Sequence, residues 1–336
     1  MSTSEQTAPA NRVAPYLTAA DNAPQPQSET SPRVITCYSI VDRLMRACGF
    51  PDLTEGMYEG DPARPYEDAQ ARQATVLLDR AHCAAGTRLL DIGCGYGRIL
   101  QAATERGTGA VGITVSPEQV RSGRQRGLDV RPIDYRRLDH SWNASFDAVI
   151  ANGSIEHFAQ PEDAVAGHDD AIYRDLFAIV HSLLAADSPS GRFVTTVIHF
   201  RRRPDPAALL RPPSAFARGS DQFHWSRLSH SLGGWYPVPG QLQRCARGYF
   251  ELIEEEDGTE DYRLTSEAWL QGVRSKIWSL DGFGIWLRAL PIVLTRPAHL
   301  SRMLRCFLGS ESWNWQFRGA HRPALLLRQT WQRRPD

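Results

Sequence analysis

Residues 89–97 read LLDIGCGYG, an apolar run that ends at Asp91-Ile92 and passes through Gly93, Gly95 and Gly97 before a second apolar run begins. A strand that turns through glycines into a helix lets backbone N–H groups approach a ligand closely, because a β-carbon in that turn would clash. The spacing is G-x-G-x-G, and the next strand ends at Thr114 without the acid that a dinucleotide fingerprint places about 20 residues on. Nicotinamide and flavin cofactors are thereby disfavoured. Asp91, directly before the glycines, places a carboxylate where a ligand ammonium would sit. The alternative is a tight turn whose glycines serve packing alone.

Working outward, β-rich runs at 88–92, 110–114, near 130, 146–151 and 192–198 alternate with helical patterns that start at 117 and cover 172–184. That alternation predicts an α/β fold with a parallel sheet and crossover helices. Upstream, residues 34–49 and 66–83 carry helical spacing. Residues 1–32 are rich in Ser, Thr, Ala, Pro, Gln and Asn and cannot bury enough surface to offset chain entropy. The chain therefore divides into a disordered tail over 1–32, a helical segment over 33–85, a ligand-binding core over 86–200, and an irregular, lid-like excursion over 201–248. The last part, 249–336, holds two further strands around a helical insertion at about 263–318.

Composition narrows the function classes. Lys+Arg and Asp+Glu both total 38 in 336 residues, so there is no basic excess to suggest a nucleic-acid partner. The six cysteines form no Cys-x-x-Cys pair and no zinc-like Cys/His run, which predicts neither a disulfide scaffold nor a metal. No stretch reaches the roughly 18 apolar residues of a spanning helix, and no basic-then-apolar leader opens the sequence. The expectation is a soluble cytoplasmic protein; nothing in the sequence sets an oligomeric state.

Three more stretches extend the glycine loop: GITVSPEQ at 112–119, IDYRRL at 133–138 and SIEHF at 154–158. Together they resemble the cyclopropane-fatty-acid synthase group of class I methyltransferases, including the mycolic acid cyclopropane synthases, whose motifs read approximately G-V-T-x-S-x-x-Q, D-Y-R-x-L and F-E-H. GGWYPVPGQL at 233–242 and EDGTEDY at 256–262 carry the resemblance on, so it covers the chain from about Asp52 to the C-terminus. It implies a Rossmann-like class I methyltransferase fold, with a mostly parallel seven-stranded sheet and a helical cap, and S-adenosylmethionine as cofactor. On that resemblance Asp91, Gly93, Cys94, Gly95 and Gly97 form the cofactor loop, Thr114, Val115 and Gln119 surround the ribose, and Asp134 and Tyr135 lie beside the adenine. Asn152 completes the cofactor set.

Methyl transfer to an alkene leaves a carbocation that must be shielded from water, stabilised by π-faces or negative charge, and deprotonated. In the resembled family a bound bicarbonate is the base, and Glu156 and Tyr262 match residues that hold it. The matching also puts Gly56, in LTEGMYE at 53–59, where the family has a cysteine, and Thr196, three residues before His199, where it has a histidine. With two contacts gone, methylation without ring closure is the expectation. His157 offers a proton acceptor for an amine or hydroxyl substrate, which keeps open an N-, O- or C-methyltransferase of a small natural product. A third reading is an inactive S-adenosylmethionine- or lipid-binding module. Read as residues alone, Glu156 is equally a carboxylate at a helix start, Tyr262 an interfacial aromatic, and His157, His199 and His224 packed side chains.

Eight tryptophans lie beyond residue 224: Trp225, Trp235, Trp269, Trp278, Trp286, Trp313, Trp315 and Trp331. They suit either an aromatic-walled cavity for an apolar or acyl substrate or a core built from large residues. In FGIWLRALPIVLTRPAHLSRMLRCFL at 283–308, Pro291 and Pro297 break the pattern into short helices, with Arg288, Arg296, Arg302 and Arg305 on a wet face. The alternative there is a peripheral membrane contact. Arg201, Arg202 and Arg203 are placed to meet an acidic headgroup, or simply belong to a solvated loop.

Overall fold

Leu89 and Leu90 on one central strand and Val149 and Ile150 on its neighbour are all fully buried, so this part of the sheet is covered on both faces. The computed structural model describes residue 35 and residues 44–335 apart from 189, 278, 280 and 281, so the expected tail over 1–32 lies outside the described residues. Strands β1 (Arg88–Ile92), β2 (Gly109–Ile113), β3 (Val130–Arg131), β4 (Ala148–Asn152), β5 (Arg192–Phe200), β6 (Phe250–Asp257) and β7 (Ala324–Arg333) form one seven-stranded sheet in the order β3-β2-β1-β4-β5-β7-β6. The first five run parallel; β7 is antiparallel to both β5 and β6. Strand order reverses between β1 and β4, and an open sheet of this kind binds its ligand beyond the carboxyl ends there.

The longer helices are α1 (Tyr66–Arg80), α2 (Arg98–Glu105), α3 (Pro117–Gln125), α4 (Asp169–Leu183), α5 (Asp221–Leu232), α6 (Thr259–Ile277), α7 (Gly282–Thr295) and α8 (Pro297–Leu304). Local chemistry explains their starts. The Ser116 hydroxyl caps α3 by accepting from the Gln119 N–H, with Pro117 in the first turn, and the Ser220 hydroxyl caps α5 through the Phe223 N–H. On α1, Ala69, Gln70, Gln73, Ala74, Leu77 and Leu78 form one buried face.

The structure corrects four expectations. The excursion over 201–248 is substantially helical, because α5 buries Ser226, Ser229 and His224 beside Phe223 and Leu228, which hides its apolar period. Pro291 does not break its segment; it lies inside α7, where the cost of one lost hydrogen bond falls near the helix end. The insertion before β7 starts at Thr259, whose N–H is capped by Asp257 Oδ1 at 2.9 Å. Arg203 is more than part of a solvated loop: it pairs with Asp169 at 2.7 Å and stacks on Trp235.

One buried cation ties these parts together. Arg328 on β7 is 0% exposed; its Nη1 donates to Asp261 at 2.9 Å and Glu256 at 3.0 Å, and its Nε donates to Gln73 Oε1 at 2.9 Å. Removing it strands the buried Asp261 carboxylate. Arg328→Ala is expected to cost about 3–5 kcal/mol in urea unfolding, because breaking one half of a buried pair leaves an uncompensated charge. A loss under about 1 kcal/mol would contradict this role.

Candidate active site

The glycine loop forms the floor of a cavity at the carboxyl ends of β1, β2 and β4. Gly93, Gly95 and Gly97 have φ of +77°, +54° and +81°, which L side chains rarely adopt. A β-carbon on Gly93 would stand 2.4 Å from that of Ser154, whereas one on Gly95 would meet nothing within 4 Å. The loop is thus pressed against Ser154 on one side and bare toward the cavity on the other. Asp91, at the end of β1, is 1% exposed, and its Oδ2 has no hydrogen-bond partner among the described residues. Burial pushes its carboxyl up to about 7. A ligand cation at this spot would relieve that cost.

Cys94, Thr114, Val115, Gln119, Asp134, Tyr135 and Asn152 line the same cavity. The Thr114 hydroxyl donates to Gln119 Oε1 at 2.7 Å. Tyr135 stacks on Phe158 with centroids 4.3 Å apart, giving a flat aromatic surface. Asp134 accepts from the Arg136 N–H at 3.1 Å and so starts the turn that carries Tyr135. Gly97 stands apart from the lining: it is the N-cap of α2, and a β-carbon there would lie 2.7 Å from Leu128 Cδ1.

The far end is apolar. Tyr262, Trp269, Phe307, Trp313 and Leu232 face it, with Tyr262 edge-on to Trp269 at 6.0 Å. Of the eight late tryptophans, Trp269 and Trp313 wall the cavity. Trp225 and Trp235 pack on Phe200, Trp315 stacks on His224, Trp331 packs on Phe177, Trp286 on α7 is partly buried against the core, and Trp278 lies outside the described residues. Both readings of the tryptophans therefore hold, each for different residues.

Glu156 sits behind the wall rather than in it: its Oε1 accepts from the Ile198 N–H at 2.7 Å, and burial pushes its carboxyl up to about 8. His157 does line the cavity, but burial brings its pKa down to about 4, so it is a weak proton acceptor. His199 is fully buried and His224 bonds Ser312 at 2.9 Å, both away from the cavity. Thr196 is buried on β5, 3.4 Å from Gln73 Nε2. Gly56 does not line the cavity. A β-carbon there would stand 2.7 Å from that of Ala69, so the close approach of α1 excludes any larger side chain. Its neighbour Glu55 is the residue that faces the cavity, with Leu53 and Thr54. The readable signal was a glutamate directly beside the glycine in LTEGMYE.

A model of the family described as "Mycolic acid cyclopropane synthetase" matches residues 53–276 of the 336. The chain belongs to this family. It is 35% identical over 210 residues to the cyclopropane-fatty-acyl-phospholipid synthase of Escherichia coli (strain K12), a match that covers 61% of this chain and 47% of the relative. The chain thus spans about half the length of that relative. Among solved structures, the cyclopropane synthase MmaA2 from Mycobacterium tuberculosis superposes with a TM-score of 0.68 at 17% identity, covering 92% of this chain and 100% of that one. The mycolic acid cyclopropane synthase CmaA1, complexed with SAH and CTAB, does so with a TM-score of 0.66 at 20% identity, covering 89% and 97%. These likenesses establish the fold: a Rossmann-like, mostly parallel sheet with a helical cap.

The raised carboxyl of Asp91 has a consequence for the ligand-free protein. Because its pKa is higher folded than unfolded, the native state binds the extra proton, and stability falls as pH rises from about 4 through about 7. Asp91→Asn is expected to be more stable than the parent at pH 8, by on the order of 2 kcal/mol, with the gap closing below about pH 5. Urea midpoints at the two pH values check this; a variant less stable at pH 8 would contradict it.

Proposed function

We propose that the chain is an S-adenosylmethionine-dependent methyltransferase that acts on an alkene carbon of an apolar, lipid-like or polyketide-like substrate. The observation that carries this reading is the unpartnered Asp91 carboxylate beside a bare glycine loop, in a cavity whose other end is aromatic. Asp91 would hold the ammonium of the methionine part, and Gly93, Cys94 and Gly95 would lie along it. Thr114, Val115 and Gln119 suit the ribose, Asp134 and Tyr135 the adenine, and Asn152 the end nearest the substrate. The sulfonium, when bound, supplies an electrophilic methyl group. The chain's part is to align the two reactants, exclude water, and meet passing positive charge with the rings of Tyr262, Trp269 and Trp313. Glu156, held by Ile198, fixes the turn that carries His157 into the wall. The low pKa of His157 weighs against the rival that uses it as a base for an amine or hydroxyl.

A lipid source is supported by α7. Phe283, Leu287, Leu290 and Leu294 recur at one-turn spacing and are 73%, 54%, 46% and 72% exposed, so the expectation of an ordinary core helix here fails. Exposed Arg296 and Arg305 follow it, a pattern that fits an anionic bilayer surface. Among the described residues no helix is long and apolar enough to cross a membrane.

Two measurements test this. With labelled S-adenosylmethionine and vesicles of monounsaturated phosphatidylglycerol, the extracted acyl chains should gain one labelled methylene or methyl, and Asp91→Ala should abolish it. Label on a heteroatom, or none with any acceptor, would overturn the reading. In co-sedimentation, Phe283→Asp with Leu294→Asp should weaken vesicle binding by about tenfold or more and leave cofactor affinity unchanged. Unaltered sedimentation would remove α7 from the account.

A further inference from the structure

Asp52, Glu55, Asp91 and Asp134 are the carboxylates that line the cavity among the described residues. Asp52 is paired with Arg98 at 2.9 Å, Asp134 caps its own turn, and Asp91 belongs to the glycine loop. Glu55 is left. It is 3% exposed; its Oε1 accepts from Gln73 Nε2 at 2.8 Å, and its Oε2 faces Asn152 Nδ2 at 3.4 Å. That Oε2 lies 3.8 Å from where a β-carbon on Gly153 would stand, at the carboxyl end of β4.

The support behind Glu55 is built for a charged carboxylate. Arg328 donates to Gln73 Oε1 at 2.9 Å, which turns the amide so that its NH₂ group points to Glu55. A full positive charge therefore stands one residue away, itself fixed by Asp261. Glu156 has poorer surroundings: backbone donors alone, Ile198 N–H on Oε1 foremost, and no hydrogen-bond partner for Oε2 among the described residues. Burial pushes both carboxyls up, but Arg328, Gln73 and Asn152 pull Glu55 back, while the charge of Glu55 pushes Glu156 further. Two carboxyls whose environments separate them in this way differ in how firmly they hold a proton: Glu156, with fewer donors, holds it the more firmly, and Glu55 has the donors that favour its charged form.

We propose that the Glu55 carboxylate is the proton acceptor of the reaction, a general base supplied by the chain in place of a bound anion. The assignment rests on the methyl-transfer reading above. The alkene π-pair forms the bond to the incoming methyl carbon as the carbon–sulfur bond breaks, its electrons leaving with the neutral thioether. The chain carbon left positive is then relieved by loss of a proton to Glu55. The C–H electrons close a new double bond, or a ring if the proton comes from the transferred carbon. Glu55, now a carboxylic acid, gives its proton to water when product leaves. Gln73 is a positioning residue in this scheme.

The test compares the full-length chain with Glu55→Gln, Glu55→Asp and Glu55→Ala, using vesicles of monounsaturated phosphatidylglycerol and bicarbonate-free buffer. Calorimetry should show S-adenosylmethionine bound within about threefold of the parent by each variant. Glu55→Gln should lose about 100-fold or more in turnover, and Glu55→Asp should retain more than Glu55→Gln. Millimolar formate should restore turnover about tenfold to Glu55→Ala and leave Glu55→Gln unchanged, a rescue that a purely structural role would not give. If Glu55→Gln fails to fold, the Asp variant and the rescue of Ala still decide. Turnover of Glu55→Gln within about threefold of the parent, or a parent rate that requires added bicarbonate, overturns the assignment. A parent chain that binds the cofactor yet releases no S-adenosylhomocysteine with these vesicles or with any other unsaturated acceptor fails the function reading itself, and the base falls with it.

Discussion

A guanidinium without access to water has to be paired, and Arg328 is paired on three sides. Glu256 belongs to β6, Asp261 to the first turn of α6, and Gln73 to the middle of α1. One side chain therefore joins the antiparallel edge of the sheet, the capping helix and the N-terminal helix. The same Asp261 accepts the backbone N–H of Tyr58 at 2.7 Å, which draws the segment carrying Glu55 against the sheet. Tyr262 follows Asp261 directly, so the contact that holds the cap also sets the aromatic wall. Position in this site is purchased with buried charge, and a loosened Arg328 would be felt at both ends of the cavity.

Asp91, Glu55 and Glu156 are three buried carboxyls with raised pKa values. Their surroundings differ in ways that matter. Asp91 has no donor on Oδ2 among the described residues and faces the cavity; Glu55 is cradled by two amides backed by a cation; Glu156 is tied to the backbone of β5. In a low-dielectric cavity such differences separate the roles we propose: Asp91 to meet a cation, Glu55 to accept a proton and Glu156 to keep one. The ligand-free protein bears the cost as lost stability near neutral pH, the usual direction of trade between function and stability.

Much of this was legible in the residues. The strand-to-glycine turn at 89–97 and the alternation that follows it specify a parallel sheet, because each step is local: a β-rich run, a glycine, a capped helix. The cavity at the ends of β1, β2 and β4 was legible for the same reason, since the residues proposed for the cofactor fall within or just after strands. What was hidden depends on long-range packing. Helix α5 buries serines and a histidine against β5 and the cap, so its period does not show as an apolar stripe. Gly56 cannot be told from Glu55 as the residue that lines the cavity until α1 is seen to press its Ala69 on the glycine. The tryptophans divide between cavity and core according to which element covers them, and the exposed row on α7 is apolar at positions that a sequence pattern assigns to a core.

The central claim is that the cavity takes S-adenosylmethionine with its ammonium at Asp91. A crystal structure of the chain with S-adenosylhomocysteine tests it most directly. The account predicts the ligand ammonium within hydrogen-bonding distance of the Asp91 carboxylate, the adenine against Tyr135 and Phe158, and the sulfur open toward Glu55 and Tyr262. Ligand density away from the glycine loop, or an ammonium that leaves Asp91 unpaired, would contradict it.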